Sequence, residues 1–471
     1  MHEGTWEMSD PSAAYHLSDF RHALLNWYPF AQDITVLELG TGFGAMTGLL
    51  LERSEHVDTV EIDKERVQAV RERFAGNDHL CVYEADIRTF IPVKTYDCIV
   101  ITDLLEEYAG DPAELIRRYT GYLKENGTLL LGFRNRNGVK YRCGALDEYV
   151  TEASDTSRLY SREDADRITQ PYYAYRKYYY LMPDVRFLQG VYTDQYLPKY
   201  TMRDRIIPVD YFHSPLTMNE GDLYDELIRD HTLGEYCNYY LLECRHSTPE
   251  RQVITASLSM DRGRDRAIPT ILYADGTAEK KALYPEAVTV LQRSCTNLEE
   301  LRKRGLLTVP QTMHDNSAVM PLIKEQQLTD CIQDLCQEGQ REAILQIFTQ
   351  MERNIRQSSE VTEEYDRFGS PLLVKGYIDM IPYNAFISQA GIRYYDQEFT
   401  EEKCPVGYIM FRAVFYTYIH IPELGQLIPQ AEMRKYCSLG EEAWNEYMSH
   451  EMAFLDRVRS WNFTDRIRIR R

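Results

Sequence analysis

A short, mostly apolar run, Val36-Leu37-Glu38-Leu39, leads straight into Gly40-Thr41-Gly42-Phe43-Gly44, and a helical pattern follows over residues 45–53. An apolar run bounded by glycines reads as a buried strand. Glycines between strand and helix let backbone N–H groups approach a ligand, because no Cβ stands in the way. Such glycines serve either a tight turn alone or a nucleotide-like cofactor beyond the carboxyl end of the strand, and the segments around them decide between the two.

Strand patterns over residues 56–62, 80–83, 96–102 and 128–133 alternate with helical patterns over 64–74 and 112–123. Short loops join them, which predicts a Rossmann-like, doubly wound parallel sheet with helices on both faces. A helix over residues 15–30, with Leu17, Phe20, Leu24 and Leu25 on one side, precedes it. Two aromatic-rich segments, 185–192 and 239–244, extend the same sheet. From about residue 250 the character changes. A strand pair near 268–273, helices over 285–304 and 326–357, and a hairpin at Ala385-Phe386-Ile387 and Ile392-Arg393-Tyr394-Tyr395 around Gly391 are expected. A chain of 471 residues exceeds one compact core. We place one domain at 1–250, with its core at 15–150 and an extension at 151–250, and a second at 251–471.

Three acids give the glycine turn chemical meaning. Glu61 ends the second strand, where a carboxylate accepts from both ribose hydroxyls. Asp86 follows the third strand, in reach of an adenine amino group, and Glu38 lies just before the turn. A dinucleotide such as NAD favours G-x-G-x-x-G spacing. The G-x-G-x-G spacing here, with an acid beside it, suits a cationic sulfonium ligand better than a pyrophosphate.

The charge narrows the partner classes. Residues 251–471 hold 27 Lys and Arg against 31 Asp and Glu; the first 250 hold 26 against 42, a net of −16. Such a half repels phosphate backbones, which disfavours nucleic acid. The ten cysteines form no C-x-x-C pair and the histidines no ligand spacing, so reduced thiols and no zinc or other metal site are expected in the first domain. There is no signal-like apolar start and no membrane-length apolar run, so a cytoplasmic protein is expected.

Together these residues resemble the class I S-adenosylmethionine-dependent methyltransferases. Residues 36–44 are similar to their first motif, Val60-Glu61-Ile62-Asp63 to the second, Glu84-Ala85-Asp86 to the adenine-contacting motif, and Tyr96-Asp97-Cys98-Ile99-Val100 to the fourth. Leu123-Lys124-Glu125-Asn126-Gly127-Thr128 resembles the lead into the fifth strand. The resemblance implies that Glu38, Gly40, Thr41, Gly42, Gly44, Glu61, Ile62, Asp86 and Ile87 bind S-adenosyl-L-methionine.

A narrower resemblance rests on Asn135-Arg136-Asn137-Gly138-Val139-Lys140-Tyr141, on residues 183–187 and on residues 192–198. They resemble a bacterial methyltransferase subgroup associated with surface polysaccharide and glycosyltransferases. Leu146-Asp147-Glu148-Tyr149 departs from that subgroup's Glu-Asp-His. The implied acceptor is a sugar, glycan or related small molecule, with a glycosyltransferase as a partner. Asp103 and Glu106, after the fourth strand, are candidates for the base or for substrate positioning; a solvated helix start is the alternative. Asn135, Arg136 and Lys140 are candidates for the substrate, weighed equally with structural roles. The tyrosines from Tyr172 to Tyr180 suit sugar stacking or a half-buried strand.

In the second domain Asp379, Asn384 and Asp396 flank the expected hairpin. An Asp-x4-Asn, a hairpin and an Asp resemble the catalytic loop of kinase-like enzymes of the choline and aminoglycoside type. That resemblance implies an α+β domain with a small lobe at 251–325 and a large lobe at 326–471. It makes Asp379 the base, Asn384 and Asp396 the magnesium ligands, and Lys281 the ATP phosphate-binding lysine. Tyr377 stands where a histidine is usual, and Gln397 where a glycine is. An ATP- and magnesium-using kinase and a non-catalytic binding module are both open. The terminal Arg466, Arg468, Arg470 and Arg471 suit an anionic lipid surface or an edge strand.

Overall fold

The computed structural model describes residues 19–146, 150, 156–185, 188–199, 217–218, 220–258 and 262–458. Residues 15–18, Asp147–Tyr149 and the terminal arginines 466–471 lie outside the described residues. The chain divides into two compact units. One falls within Met1–Met260 and takes in Tyr273–Asp275; the other falls within Asp261–Leu272 and Gly276–Asn462.

The first described element of the first unit is a 3-10 turn at Asp19–Leu24, and no α-helix runs through the described residues 19–30 of the helix expected over 15–30. Then come β1 (Thr35–Leu39), α1 (Ala45–Arg53), β2 (His56–Glu61), α2 (Lys64–Arg73), β3 (Leu80–Glu84), β4 (Tyr96–Thr102), α3 (Pro112–Thr120) and β5 (Leu123–Arg134). After these follow α4 (Arg162–Thr169), β6 (Tyr175–Met182), β7 (Gly190–Tyr192), α5 (Glu220–Arg229), β8 (Tyr239–Arg245) and β9 (Val253–Ser257). Helix starts are set by acidic caps: Asp63 accepts from Glu65 and Arg66 N–H, and Asp111 accepts from Ala113 N–H. A Ser161–Asp164 capping box opens α4.

The strands of this unit run in the order β9-β7-β6-β8-β5-β4-β1-β2-β3. The β5-β4-β1-β2-β3 half is parallel, as the alternation predicts. The aromatic half is not: β8 inserts antiparallel between β5 and β6, and β7 and β9 continue antiparallel. The sheet is therefore mixed rather than wholly parallel. Its core carries Leu37, Leu39, Ile99 and Ile101 from the parallel strands against Leu115, Ile116 and Tyr119 of α3. Tyr178, Tyr180 and Tyr240 extend that core across the antiparallel strands. Their hydroxyls are satisfied internally, Tyr178 by Asp166, Tyr180 by Asp194 and Tyr240 by the Gly234 carbonyl. The tyrosine run thus serves packing, with polar tips placed on acceptors.

In the second unit β10 (Thr270–Tyr273), β11 (Thr277–Lys281), β14 (Ser317–Pro321) and β13 (Thr312–His314) lie side by side, with α6 (Pro285–Lys303) between β11 and β13 in sequence. Short strands β12 (Leu307–Thr308) and β15 (Gln326–Gln327) flank a hairpin of β18 (Ala385–Ser388) and β19 (Gly391–Tyr394). Strands β16 (Val361–Tyr365), β17 (Pro371–Tyr377) and β20 (Thr400–Pro405) form a third sheet. The expected helix over 326–357 is two helices, α7 (Leu328–Gln337) and α8 (Arg341–Gln357). Gly339 takes a left-handed φ of 70° and breaks them. With α9 (Val406–His420) and α10 (Glu441–Val458) these helices bury a separate apolar core. Among the described residues no helix is long and apolar enough to cross a membrane.

Candidate active site

The glycine turn sits at the carboxyl end of β1. Gly40 has φ 75°, and a Cβ on it would stand 2.8 Å from Leu104 Cδ1. That position combines a left-handed backbone with a close approach, so glycine is required there. Glu61, at the end of β2, closes over the turn. Its Oε2 accepts from Gly42 N–H at 3.2 Å, and its Oε1 accepts from Ile62 N–H at 2.8 Å and Asp63 N–H at 3.0 Å. A carboxylate held by three backbone donors is fixed in orientation before any ligand arrives. Beside it Ile62 is 59% exposed, an apolar surface at the mouth of the turn. Thr41 lies buried beneath.

Glu38 and Asp86, two expected cofactor contacts, both have side-chain partners within the protein. Glu38 is buried under the turn rather than presented to a cation, and it accepts from Thr47 Oγ1 at 2.6 Å and Thr41 Oγ1 at 3.1 Å. Burial raises its pKa against those hydrogen bonds. It ties the turn to α1. Asp86 lies at the surface after β3, and Arg88 forks onto it with Nη2 to Oδ2 at 2.6 Å. That hydrogen bond holds the Asp86 carboxyl below its usual range. Ile87 packs at the edge of the core nearby.

Beyond β4 the structure assembles a network that no local motif announces. Asp103, with φ 53°, accepts from Arg21 Nη2 at 2.8 Å, Arg134 Nη1 at 2.8 Å and Tyr239 Oη at 3.1 Å. Gly132 makes room for it, since a Cβ there would stand 2.7 Å from the Tyr239 hydroxyl. Asp103 is therefore the counter-ion of two buried guanidiniums. Glu106 stands beside this network. Its side chain is fully buried, Oε1 accepts from Arg134 N–H at 2.6 Å, and burial pushes its pKa up to about 7. Its Oε2 is buried without a hydrogen-bond partner.

That imbalance sets a pH dependence. A carboxyl with a raised folded pKa binds its proton more tightly folded than unfolded, so its contribution to stability falls as pH rises from about 4.5 to about 7. We predict that Glu106→Gln melts higher than the parent at pH 8 and at nearly the same temperature at pH 4. Thermal melts across that range read the difference directly.

The three expected substrate residues all have internal partners. Asn135 Nδ2 donates to the carbonyls of Glu235 and Cys237, fixing the end of β5 to the turn before β8. Arg136 donates to the Leu159 carbonyl and pairs with Asp164. Lys140 is buried in an ion pair with Asp184 at 2.7 Å. On the far side of β2, His56, Asp58 and Cys81 bring potential metal-ligating atoms within 4.8 Å of one another, because β2 and β3 pair Asp58 with Cys81. No sequence spacing foretold it. Asp58 already accepts from Tyr96 at 2.6 Å and pairs with Lys94 at 3.0 Å.

In the second unit the hairpin brings Asp379, Asn384 and Asp396 together. Asn384 Nδ2 donates to the Asp379 carbonyl at 3.3 Å. The lysine that meets Asp396 is Lys280, not Lys281. Strand alternation explains the correction: Ala278, Lys280 and Ala282 are buried, and Lys281 faces the other way. The Asp379 carboxylate, expected as a base, is buried against Arg412 Nη1 at 3.1 Å and accepts from Phe399 N–H at 2.8 Å. Burial raises its pKa despite Arg412. Glu398 pairs with Arg262 at 3.1 Å, and burial pushes it up to about 7.

Residues 37–131 match the family described as methyltransferase domain. Ribosomal RNA small subunit methyltransferase A of Synechococcus sp. is 31% identical over 121 residues, 24% of this chain and 42% of that protein. The tRNA1(Val) (adenine(37)-N6)-methyltransferase of Cronobacter sakazakii is 32% identical over 115 residues, 22% of this chain and 46% of that protein. The chain thus spans less than half the length of these curated relatives. Among solved structures, N-methyltransferase NodS of Bradyrhizobium japonicum, in complex with S-adenosyl-l-homocysteine, aligns at 18% identity and a TM-score of 0.25, over 29% of this chain and 69% of that one.

Proposed function

We propose that the methyltransferase domain at residues 37–131 holds S-adenosylmethionine and serves methyl transfer to a sugar, glycan or related small molecule in surface-polysaccharide synthesis. The observation that carries this reading is the prearranged Glu61 carboxylate beside the turn at Gly40. Groups already locked in place lose little freedom on binding. Glu61 would hold the ribose hydroxyls, Ile62 and Ile87 would flank the adenine, Asp86 would accept from its amino group, and Gly40, Thr41, Gly42 and Gly44 would line the backbone cradle. Bound there, the cofactor supplies an electrophilic methyl group on a sulfonium. Arg21, whose guanidinium lies near Gly42, is anchored there by Asp103.

The acceptor reading rests on charge and on the sequence resemblance. The net of −16 in the first 250 residues opposes a phosphate backbone, although the two curated relatives are named for rRNA and tRNA. The test is methyl transfer from labelled S-adenosylmethionine to sugars, oligosaccharides and RNA offered to the full chain. Label in the carbohydrate fraction supports the reading. Label in RNA alone overturns the acceptor and leaves the cofactor reading standing.

For the second unit we infer a kinase-like module that binds a partner such as a glycosyltransferase rather than one that transfers phosphate. The carboxylate needed to activate an acceptor hydroxyl is buried in the ion pair of Asp379 with Arg412. The full chain is expected to show no ATP hydrolysis or sugar phosphorylation with magnesium. Turnover that disappears in Asp396→Ala would restore the enzymatic reading.

A further inference from the structure

We propose that the first unit carries a second small-molecule site, a notch beside β6 that takes a sugar-sized, hydroxyl-rich ligand bearing one oxyanion. The notch exists because β7 is short. Its ladder with β6 covers only Tyr180–Met182, and the chain then turns away through Thr193, which bridges back to Tyr196. The first half of β6 is left without a strand neighbour on that edge among the described residues. A cavity of about 320 Å³ opens there, at the lower end of the range for small-molecule pockets.

The lining is polar and carries surplus positive charge. Arg162, Arg176 and Lys177 face Asp166 and Asp194. Two of the cations are matched: Arg162 pairs with Asp194 at 2.9 Å, and Arg176 with Asp166 at 3.3 Å. Lys177 is different. It is 8% exposed, and its Nζ donates to the neutral Gln195 Oε1 at 2.7 Å. The nearby Glu243 accepts instead from Tyr28, Tyr179 and Arg245. Burial lowers the Lys177 pKa, against the pull of Glu243 and Asp194. A buried ammonium whose hydrogen bond goes to an amide is a strong partner for a ligand oxyanion, because ionised partners make the shorter and stronger bonds. Gln195 and Gln252 offer amides to hydroxyls, and Arg162, held over the Tyr178 ring at 4.6 Å, lines the notch beside them. Phosphate and carboxylate share this chemistry.

The notch is separate from the glycine turn. Between β6 and β1 lie β8, β5 and β4, so the two sites stand about 19 Å apart in the sheet at four strand spacings. Calorimetric titration of the full chain with glucose 6-phosphate, glucuronate, inorganic phosphate and glucose tests the proposal. One or both charged sugars bind at least about tenfold tighter than glucose, and the better of them names the anion. Lys177→Met weakens that binding about tenfold, Lys177→Arg restores it, and S-adenosylhomocysteine affinity stays unchanged in both. Gln252→Leu, a milder change, weakens the sugar and leaves inorganic phosphate alone. Equal binding of glucose and the charged sugars, binding indifferent to Lys177→Met, or displacement by S-adenosylhomocysteine overturns it.

Discussion

Asp103→Ala is expected to destabilise the first unit by about 3–5 kcal/mol, the cost of stranding buried charge. The carboxylate is the common acceptor of Arg21, Arg134 and the Tyr239 hydroxyl, and all of them are buried. Without it two buried guanidiniums lose their shared carboxylate. Asp103→Asn keeps the shape and the αL-tolerant side chain but loses the charge, so it is expected to fall between the parent and Ala. The buried Trp27, whose ring meets Tyr179 at 4.9 Å, gives a fluorescence signal for denaturant unfolding. Released from Asp103, Arg21 no longer holds its place near Gly42, so S-adenosylhomocysteine affinity drops as well. A loss under about 1 kcal/mol, the scale of an exposed pair, would contradict the network's importance.

Arg412→Met is expected to have an effect of similar size in the second unit, about 3–5 kcal/mol at neutral pH. Arg412 joins Asp379 at 3.1 Å to Glu451 at 2.8 Å, and it also donates to the Ile378 carbonyl. Glu451 accepts from Tyr408 at 2.8 Å and Tyr416 at 2.6 Å in addition. Loss of the guanidinium takes a cation away from two buried carboxylates. The sign with pH follows: without Arg412 the buried Asp379 carboxyl holds its proton more tightly, so the defect shrinks as pH falls and that carboxyl is neutralised. Denaturant unfolding at pH 7 and pH 5 separates this from simple loss of packing, which would give the same deficit at both.

The parts legible in the sequence are those whose partners are close in the chain. Gly40, Gly42 and Gly44 sit within five residues, and Glu61 ends the next strand, so periodicity and spacing suffice. Asp103 was visible as an acid after β4, but its partners Arg21, Arg134 and Tyr239 lie 82, 31 and 136 residues away. Their meeting depends on β8 inserting antiparallel beside β5, which no local pattern encodes. Gly132 was the one available hint: a glycine inside a strand marks a close approach, here of Tyr239. Asn135 and Lys140 follow a parallel strand, and what the sequence could not show is that their partners, the Glu235 and Cys237 carbonyls and Asp184, come from distant segments. Lys280 and Lys281 differ by one position, and one position is the whole difference between the two faces of a strand.

The central claim is that Gly40–Gly44 and Glu61 form an S-adenosylmethionine site. Calorimetric titration of the full chain with S-adenosylhomocysteine tests it most directly, with Glu61→Ala as the control. The account predicts saturable binding to one site, weakened in Glu61→Ala by roughly 1–3 kcal/mol, the scale for hydrogen bonds to a charged group. No heat of binding at a ligand concentration of about 1 mM, or equal affinity in Glu61→Ala, would contradict it.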